Sequence, residues 1–202
     1  DLTPAGNALD QGPMSEIQSQ IDDLSWVGQI PIAIRERCDK PVVAGLNGVA
    51  AGAGLALAMA CDIRIAAQNA WLFPGYSRIG GSPDGGLSWT LPQAIGYEKA
   101  MRFLLENKRV DSDEALALGL IGEIVPDDQF QARFAEYCQS LTTISPIAAR
   151  LTKRVVREAT KIDIEAQVRY ELQTIGTAFA SKDGQESRRA FLERRQPEIK
   201  GR

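Results

Sequence analysis

The apolar positions along the chain predict a sequence of distinct elements. Ile17, Ile21 and Leu24 are spaced i, i+4, i+7, which predicts a helix from Met14 to about Arg37, kinked or broken at Pro31. Val42-Val43-Ala44-Gly45-Leu46 is a short apolar run behind Lys40-Pro41 and predicts a buried strand, and Asn47-Gly48 turns the chain after it. Small residues then lead into Leu55-Ala56-Leu57-Ala58-Met59-Ala60, a helix packed closely on its neighbours. Ile63-Arg64-Ile65-Ala66 alternates like a strand. The series strand, glycine turn, helix, strand predicts a buried βαβ-like crossover. Residues 74–86 hold two prolines and five glycines and predict a long loop, a feature often functional in compact domains.

Beyond Gly86 the pattern is mainly helical. Ser112-Asp113-Glu114 opens a short helix stopped by Gly119, and Gly122 to Val125 is a short strand. Phe130, Phe134, Tyr137 and Leu141 line one helix face. Ser145-Pro146 is a cap with proline at the first helical position, and Ile147, Leu151 and Val155 continue that face. Ile164, Val168, Leu172, Ile175 and Phe179 mark a further helix, and Asp183 to Glu186 reads as a capping-box start for the last one. There is no internal repeat and no low-complexity tract. The expected organisation is an α/β core over 1–140 followed by a helical region over 141–202.

Composition narrows the function classes. The chain has 202 residues and is 44% hydrophobic, enough for one domain with a sizeable core. A net charge of -3 argues against a nucleic-acid partner. The longest apolar stretch, Val49 to Cys61, is too short to span a bilayer, so no membrane partner is expected. Cys38, Cys61 and Cys138 are scattered, odd in number and without a CxxC pair, which fits a reducing, cytoplasmic setting. There is no histidine, which removes a Ser-His-Asp triad, a Cys-His pair and most zinc sites. No metal is expected. Acid–base chemistry must fall to carboxylates, Lys, Tyr, Cys or backbone groups.

Gly52-Ala53-Gly54 follows a strand and opens a helix. Glycines permit close backbone approach, and free N–H groups at a helix start attract negative charge. A dinucleotide fingerprint fails because Leu57 stands where the third glycine belongs. Tight packing and an oxyanion site remain. Asp84, in Ser82-Pro83-Asp84-Gly85-Gly86, has two readings of its own: a helix N-cap, or a functional carboxylate.

The stretch from Lys40 to Ala66, KPVVAGLNGVAAGAGLALAMACDIRIA, resembles the core motif of the enoyl-CoA hydratase/isomerase (crotonase) family. The similarity runs on through Ser77 to Gly96, Arg109 to Val125 and, weakly, Ala190 to Arg202. The resemblance implies a crotonase spiral of ββα units, with a C-terminal helical region that assembles a homotrimer or a dimer of trimers. It implies an acyl-CoA thioester as substrate, with CoA arriving as part of it and no other cofactor. Two backbone N–H groups would bind the thioester oxygen. One falls on Ala53, between Gly52 and Gly54. The other normally precedes an Asp-Leu pair, which Asp1-Leu2 resemble, so that donor and the family's first strands are expected upstream of residue 1.

The family's hydratases use two glutamates, and these positions carry Ala56 and Tyr76. Alanine exchanges no proton, and a phenol of pKa about 10 is a poor base at neutral pH. Asp84 is the remaining carboxylate. Family isomerases carry a catalytic Asp in a PD-x-GG context, and a family dehalogenase uses its Asp as a nucleophile. Apolar walls around Asp84 would raise its pKa and suit it to proton shuttling. Tyr76 is expected to orient the acyl group, donate a hydrogen bond or line the pocket. Trp71 and Trp89 are candidates for the acyl pocket, with core packing preferred for Trp89. Asp62 is expected to be structural, and the basic C-terminal stretch to be a solvated face rather than a CoA-phosphate site. An isomerase is therefore the expected activity, ahead of a one-carboxylate hydratase, a hydrolytic enzyme using Asp84 as nucleophile, and a non-catalytic binding protein.

Overall fold

The computed structural model describes residues 26–202. The expected helix positions Met14, Ile17, Ile21 and Leu24, and the proposed pair Asp1-Leu2, lie outside the described residues. Helix α1 (Trp26–Ile32) contains Pro31 and passes directly into a π-helical turn, Ala33–Arg37. Proline has no N–H and its ring crowds the carbonyl four residues back. The break expected at Pro31 thus takes the form of a widened turn, closed by the Cys38 N–H on the Ala33 carbonyl at 2.8 Å.

Two three-stranded sheets follow. In the first, β1 (Val43–Leu46), β3 (Ile63–Ala67) and β6 (Glu123–Val125) are parallel, with Val43 opposite Ile63 and Ile65 opposite Glu123. In the second, β2 (Val49–Ala51) is parallel to β4 (Trp71–Phe73), which is antiparallel to β5 (Val110–Asp111). The chain therefore lays a strand in one sheet, turns at Asn47-Gly48, lays a strand in the other, and returns through helix α2 (Ala53–Ala60). The expected βαβ-like crossover is present, since β1 and β3 are parallel neighbours with α2 between them, but β2 intervenes and α2 leaves from it, in the second sheet. Strands of three residues, such as β2 and β4, are too short to show an alternating pattern.

The core lies between these layers. Leu55, Met59, Leu72, Leu87 and Leu91 are fully buried there. Ala56, Ala58 and Ala60 keep α2 thin enough to lie against the sheet and against helix α3 (Leu87–Ile95). Helix α4 (Tyr97–Glu106) follows. Helix α5 (Ser112–Leu118) starts at Ser112 and ends at Gly119, as its sequence predicts, and its side-chain cap is Asp111. Helix α6 (Phe130–Leu141) stacks Phe130 on Phe134 over a second cluster containing Ile65, Ala67 and Val125.

Helix α7 (Pro146–Glu158) is capped by Ser145, as expected, and α8 (Ile164–Ala180) by Asp163. The last helix, α9 (Lys182–Leu192), is capped by Ser181 and not by Asp183. Asp183 sits one residue into the helix. Its buried carboxylate instead accepts N–H groups from Lys200, Gly201 and Arg202 at 2.9, 2.7 and 3.1 Å. The helical region is fastened to the core through Lys153, whose Nζ donates to Asp62 at 2.7 Å and to the Lys40 carbonyl at 2.9 Å. Asp62 also accepts the Val42 N–H at 2.8 Å, which is the structural role expected of it.

Candidate functional site

Gly52 adopts φ 51° and ψ -120°, a backbone conformation that an L side chain would strain. It caps α2 with no side-chain hydrogen bond, and no acidic residue occupies the first helical turn. The Gly52 N–H donates to the Phe73 carbonyl at 3.1 Å, tying the turn to the end of β4. Ala53 and Gly54 are exposed. Ala53 is the first helical residue, so its N–H has no intrahelical acceptor and lies at the positive end of the helix dipole. A developing oxyanion suits such a position.

From Phe73 the chain runs through the fully buried Pro74 to Gly75, whose N–H donates to Asn107 Oδ1 at 2.8 Å. A 3-10 turn, Tyr76–Ile79, follows. The Tyr76 ring belongs to the same core cluster as Leu55 and Ala56. Its hydroxyl donates to Asp84 Oδ1 at 2.8 Å. Burial, then the hydrogen bond and charge of Asp84, push the phenol well above its ordinary range. Tyr76 is therefore a neutral donor at physiological pH.

Asp84 is not a helix cap. Gly86, with φ 76°, holds the N-cap position of α3, and no side chain caps that helix. Nor is Asp84 walled in as expected: it is exposed, in a loop rich in glycine. Tyr76 grips Oδ1, and Oδ2 accepts no hydrogen bond from the described residues. Ala56, where the resemblance places a glutamate, is 1% exposed within the core. The structure thus joins Tyr76 directly to Asp84 and ties Gly52 to the strand leading to Tyr76.

Trp71 stands at the start of β4, opposite Val49. Its ring partners are the Arg109 guanidinium, 4.2 Å away, and Phe73, at 6.4 Å between centroids. It is outside the bonded set around Asp84. Trp89 corrects its expected core role: it is 44% exposed, lies under the Arg35 guanidinium at 5.8 Å and lines a cavity with Gly86. Arg35 carries no motif, and sequence reasoning passed over it. Two of the basic C-terminal residues are engaged within the chain. Arg195 pairs with Glu186 and Glu193, each at 2.6 Å, and Arg188 covers Phe179.

Among the described residues, no group of three or more His, Cys, Asp or Glu is placed to hold a metal ion. No helix among them is long and apolar enough to cross a membrane.

The family model for enoyl-CoA hydratase/isomerase matches residues 9–202. The chain belongs to the enoyl-CoA hydratase/isomerase family. It is 37% identical to a probable enoyl-CoA hydratase of Rhodobacter capsulatus over 165 residues, 82% of this chain and 64% of that protein. It is 31% identical to 4-chlorobenzoyl coenzyme A dehalogenase-1 of an Arthrobacter species over 164 residues, 81% of this chain and 59% of that one. The chain thus spans about three fifths of the length of these curated relatives. A crystal structure of an enoyl-CoA hydratase from a Polaromonas species superposes with a TM-score of 0.90 at 29% identity, covering 99% of this chain and 76% of that one. The two-sheet spiral is accordingly the crotonase fold of this family.

Proposed function

We propose that the protein is an acyl-CoA isomerase working through a thioester enolate, and the observation that carries this reading is the Tyr76–Asp84 hydrogen bond beside a buried Ala56. The thioester carbonyl is held by the Ala53 N–H and a second donor that the resemblance places before residue 1. Asp84 removes a proton from the carbon next to the carbonyl, or from its vinylogous position. The electron pair moves onto the thioester oxygen, where the backbone donors stabilise it. Asp84 then returns the proton to another carbon, and the double bond shifts. Tyr76 is a positioning residue: it fixes one carboxylate oxygen and leaves the other to carry the proton. CoA enters as part of the substrate, and the reaction requires no metal or redox cofactor. Apolar side chains exposed along α8, with Leu172 at 68% and Ile164 at 78%, support self-association, for which the resemblance implies a homotrimer or a dimer of trimers.

A second reading draws on the relatives' names. One is a dehalogenase, and an exposed Asp84 whose Oδ2 accepts no hydrogen bond from the described residues suits a nucleophile as well as a base. Hydration, the activity in several other relatives' names, has less support in the site itself, because neither glutamate position carries a carboxylate.

The test is to incubate the complete protein with a panel of enoyl-CoA thioesters in deuterated water. Bond migration with deuterium uptake is expected, and Asp84→Asn lowers the rate about 10²- to 10⁴-fold. Equal rates for wild type and Asp84→Asn overturn the proton shuttle. Net addition of water marks a hydratase, and a covalent adduct on Asp84 in the mass spectrum marks a nucleophile.

A further inference from the structure

Two cavities meet at Arg35 and Trp89. One, of about 300 Å³, is bounded by Pro31 and Ile32 near the end of α1 and by Gly86, two residues beyond Asp84. The other, of about 400 Å³, extends from Trp89 to α7, past Ile144 and Val156 to Lys153 and Arg157. Arg35 lines both. The walls are mainly apolar.

The charges along this cleft are unevenly matched. Asp62 is engaged by Lys153 at 2.7 Å and by the Val42 N–H at 2.8 Å. Glu36 is held by Lys161 at 2.8 Å. Arg157 donates to the carbonyls of Arg35 and Glu36 and has Asp39, Glu158 and Glu36 at 3.7, 3.7 and 3.9 Å, although its Nε, like that of Arg35, is buried without a hydrogen-bond partner. Arg35 differs. Its nearest carboxylate among the described residues is Asp62, at 4.0 Å. One terminal nitrogen donates to the Met59 carbonyl at 3.3 Å, and its Nε is buried without a hydrogen-bond partner. The cleft therefore holds a planar donor fork, loosely neutralised and flanked by an indole ring. A carboxylate is the ligand that the two terminal nitrogens of such a fork take, through two parallel N–H···O bonds, the buried Nε being closed to it.

We infer that the acyl group runs from the Asp84 loop past Gly86 into this cleft and ends in a carboxylate bound by Arg35. The substrate class is then a dicarboxylic acid joined to CoA through one of its carboxyls. This rests on the acyl-thioester reading above and adds the identity of the far end of the acyl group.

The test is a calorimetric titration of the complete protein with glutaryl-, adipoyl- and suberoyl-CoA, each paired with its terminal methyl ester. All are saturated at the reacting carbons, so binding is read without turnover. At least one free acid is expected to bind about tenfold or more tightly than its ester. Arg35→Met brings that ratio to about one, and Arg35→Lys, which keeps the charge but loses the fork, leaves an intermediate ratio. Equal affinity for acid and ester across the series, or a ratio unchanged in either variant, overturns the inference. If no thioester binds at all, the acyl-thioester reading itself fails. If Arg35→Met does not fold, the wild-type ratio and the Arg35→Lys result decide.

Discussion

The Tyr76 hydroxyl can serve Asp84 only while it keeps its proton, and its surroundings ensure that it does. Burial and the neighbouring carboxylate both disfavour the phenolate. Tyr76→Phe keeps the ring in the core but frees Asp84 Oδ1. A hydrogen bond to a charged group is worth about 1.5–3 kcal/mol. Turnover is therefore expected to fall by about tenfold or more with a smaller change in KM; a kcat equal to wild type removes Tyr76 from the mechanism. The same substitution has a signature in alkali. The folded-state pKa lies above the unfolded value of about 10, so folding favours the protonated form. That contribution is fully present below about pH 10 and is lost as pH rises toward the folded value. Melting temperatures recorded from pH 8 to 11 should show a steeper alkaline decline in wild type than in Tyr76→Phe. Part of this site was legible in the sequence. The glycines around Ala53 and the loop around Asp84 mark themselves by composition. The choice between cap and functional carboxylate was not legible, because it turns on Gly86 taking the cap position and on a contact across eight residues. Arg35 had no local signal at all, since its setting is made by residues up to α7 in the chain.

Elements were readable where their ends are written in side chains. Ser145-Pro146 before α7 is a cap, and Gly119 after α5 a stop, that the sequence announces and the structure uses. The start of α9 misled, because Ser181 and Asp183 both suit a cap and only one can accept the first free N–H. What decides between them is the chain's last turn, which brings three N–H groups to the Asp183 carboxylate and places the Arg202 carbonyl on the Asp183 N–H at 2.9 Å. Asp183 is 2% exposed, so removing its carboxylate strips buried donors of their acceptor. Asp183→Ala should lower stability by about 2 kcal/mol, and Ser181→Ala by about 1 kcal/mol. Urea unfolding midpoints check the order, and hydrogen exchange at the Lys200, Gly201 and Arg202 amides should be faster in the Asp183 variant. A Ser181 variant weaker than the Asp183 variant would show that the cap, not the clamp on residues 200–202, holds α9 in place.

At the scale of the whole molecule, the alternation of strands between two sheets was hidden. It depends on three-residue strands whose partners are about twenty residues away, as Val49 is from Trp71. The helical region was easier to read, because its amphipathic spacing is long and regular. Its inner attachments are polar: Lys153 to Asp62, Arg154 to Asp39 and Lys161 to Glu36 join it to the core. Its outer face is the reverse. Ile164, Val168, Leu172, Ile175 and Phe179 follow one stripe of α8, and all are at least 44% exposed. Phe191 and Leu192 at the end of α9 are more than 80% exposed. A single chain gains nothing by leaving so much apolar surface in water, whereas a subunit interface removes it at roughly 25 cal/mol per Å². The complete protein is therefore expected to sediment as an oligomer, a trimer or hexamer if it follows the resemblance. Leu172→Glu places a charge in the middle of the stripe without touching the core, so it should shift the protein to monomers while its far-ultraviolet spectrum stays unchanged. A wild-type protein that remains monomeric at tens of micromolar, or a Leu172→Glu variant that assembles normally, would refute α8 as the interface.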